Sequence, residues 1–186
     1  MSEFHETREW KIGDSAQKKW ARMMAKRGHV VLPTYGMVEQ DAKCKAPLIF
    51  VDTTALVAPD MLLMARMVQW HEVKAKAVAT WRRYPPGPRW EHGIDFSLLE
   101  EYQTVAKKSE SPVILVIHEE KSPLDDNEES PIDGPPKWLF ISLADVFTYG
   151  DHRKDWPGGK FKADRGRRGK GGWLWPRNKM SQFNIR

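Results

Sequence analysis

Apolar and polar positions along the chain follow two periods, and each marks its own elements. In AQKKWARMMAKR, residues 16–27, Gln17, Trp20, Met23 and Met24 fall on one helical face. Asp14 or Ser15 is placed to cap that helix and Gly28 to end it. HVVLP at 29–33 and PLIFVD at 47–52 predict short strands, bounded by Pro33 and by the polar stretch QDAKCK. The run VAPDMLLMARMVQWHEVKAKAV divides into a strand at 61–64, a turn around Ala65 and Arg66, and a second strand from Met67 to Val78. This is the pattern of an antiparallel hairpin. TWRRYPPGPRWEHG is rich in proline and predicts an ordered loop without regular structure. A second helix is expected from an Asp95 cap through FSLLEEYQTVAKKS, with Phe96, Leu99, Gln103 and Ala106 or Lys107 near one face. SPVILVIHE is almost continuously apolar, as in a strand covered on both faces. WLFISLADVF predicts a strand running into a short helix, and GGWLWPR a final strand. The order of helix, strands, hairpin, helix and strand implies an α/β fold, a mixed central β-sheet flanked by helices.

Length and charge sharpen this picture. The 186 residues, 40% of them hydrophobic, suit one domain with a core of its own. One cysteine, Cys44, excludes an internal disulfide and a multi-cysteine zinc site. No apolar run approaches the ~20 residues that span a bilayer. Glu3, His5, Glu6 and Arg8 do not form a signal peptide, so a soluble protein of the cytoplasm, or of a host's cytoplasm if viral, is expected. The net charge of +5 is unevenly spread: residues 151–186 hold eleven Lys/Arg against three Asp. Residues 119–136 hold seven acids and one lysine and read as a solvated acidic loop. The expected organisation is a domain over 1–150 and a basic, Gly- and Trp-containing arm over 151–186 that ends in a strand.

The hairpin carries the chemistry. Side chains alternate along a strand, so Glu72, Lys74 and Lys76 project from one face, and Trp70, Val73, Ala75 and Ala77 are assigned to the other. If the turn brings Asp60 alongside, two carboxylates and an ammonium converge. With the Val73 carbonyl they form a hard oxygen site of the kind that Mg²⁺ or Mn²⁺ prefers. Lys74 is then placed to orient water and offset charge on a phosphorus transition state. Without that convergence, the same residues read as a turn and a surface ion pair.

Pro59-Asp60, eleven intervening residues and Glu72-Val73-Lys74 resemble the signature of the PD-(D/E)XK nuclease superfamily. The order of elements over roughly residues 13–118 is similar to the family's αβββαβ core, the restriction-endonuclease-like and Holliday-junction-resolvase-like fold. The resemblance implies a divalent-metal-dependent nuclease that hydrolyses phosphodiester bonds of DNA and leaves 5′-phosphate ends, a chemistry that fits phage or mobile-element DNA processing. It implies metal ligation by Asp60, Glu72 and the Val73 carbonyl, catalysis by Asp60, Glu72 and Lys74, and a place for Gln103 near the scissile phosphate. Many members form homodimers. Where many also carry a glutamate on the first helix, this chain has Gln17. Glu39 and Asp52 are candidate substitutes. The departure supports a second reading, a nucleic-acid-binding protein of the same fold without catalysis.

Nucleic acid, DNA before RNA, is the expected partner. Lys76, the loop residues Arg82, Arg83 and Arg89, and Arg165, Arg167, Arg168 and Lys170 of the arm are the candidate contacts. Trp81, Tyr84 and Trp90 lie among the loop arginines and suit stacking. The six histidines show no zinc-site spacing, and His71, next to Glu72 in sequence, is expected to pack on the opposite strand face.

Overall fold

Ala16, Trp20 and Met24 recur every four residues and are buried together, which fixes how the first helix sits on the sheet. The protein is described here by a computed structural model covering residues 8–34, 48–51, 53–83, 87–153 and 171–184. Its elements in chain order are α1 (Arg8–Lys26), β1 (Val30–Pro33), β2 (Leu48–Val51), β3 (Thr54–Val57), β4 (Met61–Met64), β5 (Val68–Lys76), β6 (Thr80–Arg82) and β7 (Arg89–Asp95). There follow α2 (Phe96–Ser109), β8 (Val113–Glu119), β9 (Ser122–Pro123), β10 (Ile132–Gly134), β11 (Lys137–Ser142), α3 (Leu143–Tyr149), β12 (Asp151–Arg153), β13 (Gly172–Pro176) and β14 (Ser181–Gln182).

The central sheet has the order β1-β4-β5-β8-β11-β14. It is mixed: β5 and β8 are parallel, with Glu72 opposite Leu115 and Lys74 opposite Ile117, and its other pairs are antiparallel. The parallel pair requires a crossover, supplied by β6, β7 and α2. On one face, α1 buries Trp20 and Met24 against Met61, Leu63, Val73, Val116 and Trp138. On the other, Leu99 and Tyr102 of α2 join Leu115, Ile117, Ile141 and Trp175. A second sheet, β12-β13-β7-β6, contributes Ile94 and Trp175 to that core. The expected α/β fold with a mixed sheet between helices is the observed architecture.

Several local expectations are met. Asp95 caps α2, its Oδ1 accepting from Ser97 N at 3.1 Å. The 61–64 and 68–76 strands pair as a hairpin, and β8 is buried along most of its length.

Other expectations are corrected. α1 starts before Asp14, whose carboxylate instead pairs with Lys18 at 2.7 Å one turn on. The 80–93 segment is not an irregular loop: β6 and β7 form a hairpin there, because the prolines fall between the strands. Trp70 lies on the face of Glu72, packing against the α2-side core, as even spacing requires. The acidic stretch 119–136 is not uniformly solvated: Glu119 ends β8 fully buried, and Ser122–Pro123 pairs with Ile132–Gly134. After β13 the chain makes a 3₁₀ turn at Arg177–Lys179 and adds β14 to the edge of the central sheet. Residues 172–182 are therefore woven into both sheets.

Candidate active site

β4 begins with Met61 opposite His71, so Asp60, one residue earlier, comes level with Glu72. Because β4 begins only there, the edge of β5 beyond His71 is left to side chains. Asp60 fills it: its Oδ2 accepts from Val73 N at 2.8 Å, and its own N donates to Glu72 Oε2 at 3.2 Å. Gln17 Nε2 donates to Asp60 Oδ1 at 2.8 Å, and Lys74 Nζ pairs with Glu72 Oε1. Thr34 fixes the backbone behind them, its N donating to Asp60 O at 3.0 Å and its hydroxyl lying 2.8 Å from Pro59 O. The structure thus brings together Gln17, Asp60, Glu72, Val73 and Lys74. Thr34 had no signal in the sequence beyond following Pro33.

Burial sets the electrostatics. Asp60 is 6% exposed and Glu72 2%, whereas the Lys74 side chain reaches solvent. Burial, reinforced by the neighbouring Glu72 charge, pushes the Asp60 carboxyl up to about 8, against the pull of Lys74 and of the Val73 and Gln17 hydrogen bonds. Two carboxylates this close want a cation. Within a strand, N–H and C=O of one residue point to the same neighbour, so the Val73 carbonyl lies on the Asp60 side. Two carboxylates and a carbonyl are the donor set that fits a hard divalent ion. No group of three or more His, Cys, Asp or Glu gathers around a common point among the described residues.

His71 takes the opposite face, as expected. Its Nδ1 accepts from Trp20 Nε1 at 3.0 Å, and burial, with the nearby His29, lowers it to about 4. Gln103 does not join the site: it is exposed on α2, and no contact of Asp60 or Glu72 involves it. Polar α2 side chains that do reach the strands include Glu101, whose Oε2 accepts from Val57 N at 2.6 Å, and Ser109, whose Oγ accepts from Trp70 Nε1 at 3.0 Å.

The candidate nucleic-acid contacts divide. Arg89 binds Glu91 at 2.7 Å and Asp151 at 3.2 Å, and Arg83 pairs with Glu129. Those two guanidinium groups are engaged within the protein. Arg82 approaches Glu91 only to 4.0 Å, and its buried Nε has no hydrogen-bond partner among the described residues. Lys76 is half-buried and has no acidic partner among the described residues. Trp81 and Trp90 contact each other, with ring centroids 5.2 Å apart. Glu39, Cys44, Asp52, Tyr84, Arg165, Arg167, Arg168 and Lys170 lie outside the described residues.

A second buried polar cluster was not foreseen. Glu119 accepts from Arg177 Nε at 2.8 Å and Nη2 at 2.7 Å, from Ser122 Oγ at 2.7 Å, and meets His92 Nε2 at 2.6 Å. Arg177 also binds Asp126. Burial alone would raise the Glu119 carboxyl, but the Arg177 and His92 hydrogen bonds override it and hold it near 2.

No protein-family model and no curated protein matches the chain. Among solved structures it is similar to that of Hjc, a Holliday junction resolvase from the archaeal hyperthermophile Archaeoglobus fulgidus, with 10% identity over 90% of this chain and 85% of that one and a TM-score of 0.46. No helix among the described residues is long and apolar enough to cross a membrane.

Proposed function

We propose that this protein is a metal-dependent nuclease that hydrolyses phosphodiester bonds of DNA, with Asp60, Glu72 and Lys74 at its reaction centre. One observation carries the reading: two buried carboxylates meet at the start of a hairpin with a lysine on the second of them. Asp60, Glu72 and the Val73 carbonyl would hold Mg²⁺ or Mn²⁺, which supplies Lewis acidity towards a phosphate oxygen and a water of lowered pKa.

The chain's own residues do the rest. Gln17 and the Val73 amide hold the Asp60 carboxylate in one orientation, each by a 2.8 Å hydrogen bond. Glu72 tethers Lys74, whose solvent-facing ammonium donates to the attacking water and offsets charge on the pentavalent phosphorus. Water oxygen bonds to phosphorus as the P–O3′ bond breaks in line with it; the water loses a proton to solvent, and the departing O3′ takes one up from solvent. The products are a 3′-hydroxyl and a 5′-phosphate.

Gln17 favours one alternative. A neutral amide donating to Asp60 brings no charge to a cation, which suits a protein of this fold that binds nucleic acid without cutting it. End-labelled DNA and RNA incubated with Mg²⁺, Mn²⁺ or EDTA separates the two. The nuclease reading expects cleavage that needs metal and falls at least about 100-fold in Asp60→Ala and Lys74→Ala. Binding without cleavage in any metal would establish the alternative.

A further inference from the structure

Two adjoining recesses continue from Lys74 along β5. The first, of about 260 Å³, lies between Lys74 and Lys76 on one side and Gly93, Ile94, Leu98 and Gly171 on the other. Asp95, on its rim, is engaged as the cap of α2. The second is much smaller, about 50 Å³, and is lined by Lys76, Thr80, Arg82 and His92 with Glu91. Glu91 is answered by Arg89 at 2.7 Å and more loosely by Arg82 at 4.0 Å, and Arg89 also binds Asp151, so Lys76, Arg82 and Arg89 together exceed these two acids by one positive charge. Among the described residues, buried Arg82 Nε has no hydrogen-bond acceptor and Lys76 has no acid to pair with. A buried, unsatisfied guanidinium N–H is unfavourable, and an anion at that point would satisfy it.

We propose that the small recess binds the terminal phosphate of a nucleic-acid strand through Lys76 and Arg82, and that the larger one takes the unpaired nucleotide joining it to the phosphate at Lys74. The spacing fits. Lys74 and Lys76 are two residues apart on a strand, roughly 6.5–7 Å, about the separation of consecutive phosphates. The 260 Å³ recess is slightly below the ~300–1,000 Å³ of small-molecule sites and suits one sugar and base against Ile94 and Leu98. Neither recess admits a base pair. The proposal rests on the nuclease reading for its chemistry. Hydrolysis at Lys74 would release one nucleotide, and the new 5′-phosphate left on the strand is the group that the small recess holds.

The test compares DNA and RNA strands of about a dozen nucleotides carrying a 5′-phosphate, a 3′-phosphate or hydroxyl ends, together with a duplex closed by hairpins. Affinity is measured in EDTA and product length in Mg²⁺. A 5′-phosphate should tighten binding about tenfold, and Lys76→Ala and Arg82→Gln should each erase that preference, lowering affinity for the phosphorylated strand more than for hydroxyl-ended ones. The cleaved products should be mononucleotides, and the closed duplex should resist. Equal affinity for phosphorylated and hydroxyl ends, or equal cleavage of the closed duplex, overturns the proposal even if Asp60→Ala abolishes cutting. Phosphate-dependent binding without cleavage in any metal would uphold the recess and overturn the nuclease reading instead.

Discussion

Burial and the neighbouring Glu72 disfavour the charge on Asp60, and its titration gives a direct test. Folded, its carboxyl keeps a proton to about pH 8; unfolded, it releases it near 3.8. Between those values the folded state binds the extra proton, so metal-free stability falls as pH rises through the window. Melting in EDTA at about pH 7 and about pH 9 should show a lower Tm at the higher pH, and Asp60→Asn should remove the drop. At this scale the sequence was informative where spacing carries geometry. Asp60, Glu72 and Lys74 were legible because a hairpin turns eleven residues of separation into adjacency, and alternation then orders the faces. Gln17 was legible only through resemblance. Gln103 was misread, since helical periodicity placed it near the face of Leu99 while the structure leaves it exposed.

At the scale of elements, the proline-rich segment shows where pattern reading stops. Pro85, Pro86 and Pro88 hid a hairpin because proline is counted against strands wherever it falls, and here it falls between them. Glu119 and Arg177 show a different limit. They are 58 residues apart, each closes an apolar strand, and nothing local marks them as partners. Yet this pair ties the end of β8 to the 3₁₀ turn after β13, and His92 adds β7. Arg177→Ala would leave Glu119 buried and short of its cation, at a cost of about 3–5 kcal/mol. Chemical denaturation should register the loss as a lower midpoint with an unchanged slope.

For the whole molecule, the order of elements foretold the mixed sheet, but the second sheet was out of reach. It joins β7 to β13 across nearly eighty residues, a pairing that only tertiary packing selects. That sheet also fixes where the chain enters and leaves its most basic stretch. Arg153 faces Gly172 in the β12–β13 ladder, so the chain enters and leaves the stretch 154–170 at neighbouring points. A short glycine-serine turn can therefore replace that stretch without disturbing either strand. The shortened protein should fold, bind DNA more weakly, and show a shallower decline of log affinity with log salt, in proportion to the number of phosphates the segment neutralises. An unchanged slope would place the electrostatic footprint elsewhere.

The amide of Val73 has one further use. Almost every strand N–H is held by a backbone carbonyl, whose character does not change with pH or metal. This one is held by a carboxylate oxygen that does change. Its proton resonance is thus a built-in indicator of the Asp60 charge, one atom that can be watched in solution as protons or cations enter, in a protein that need not be turning over.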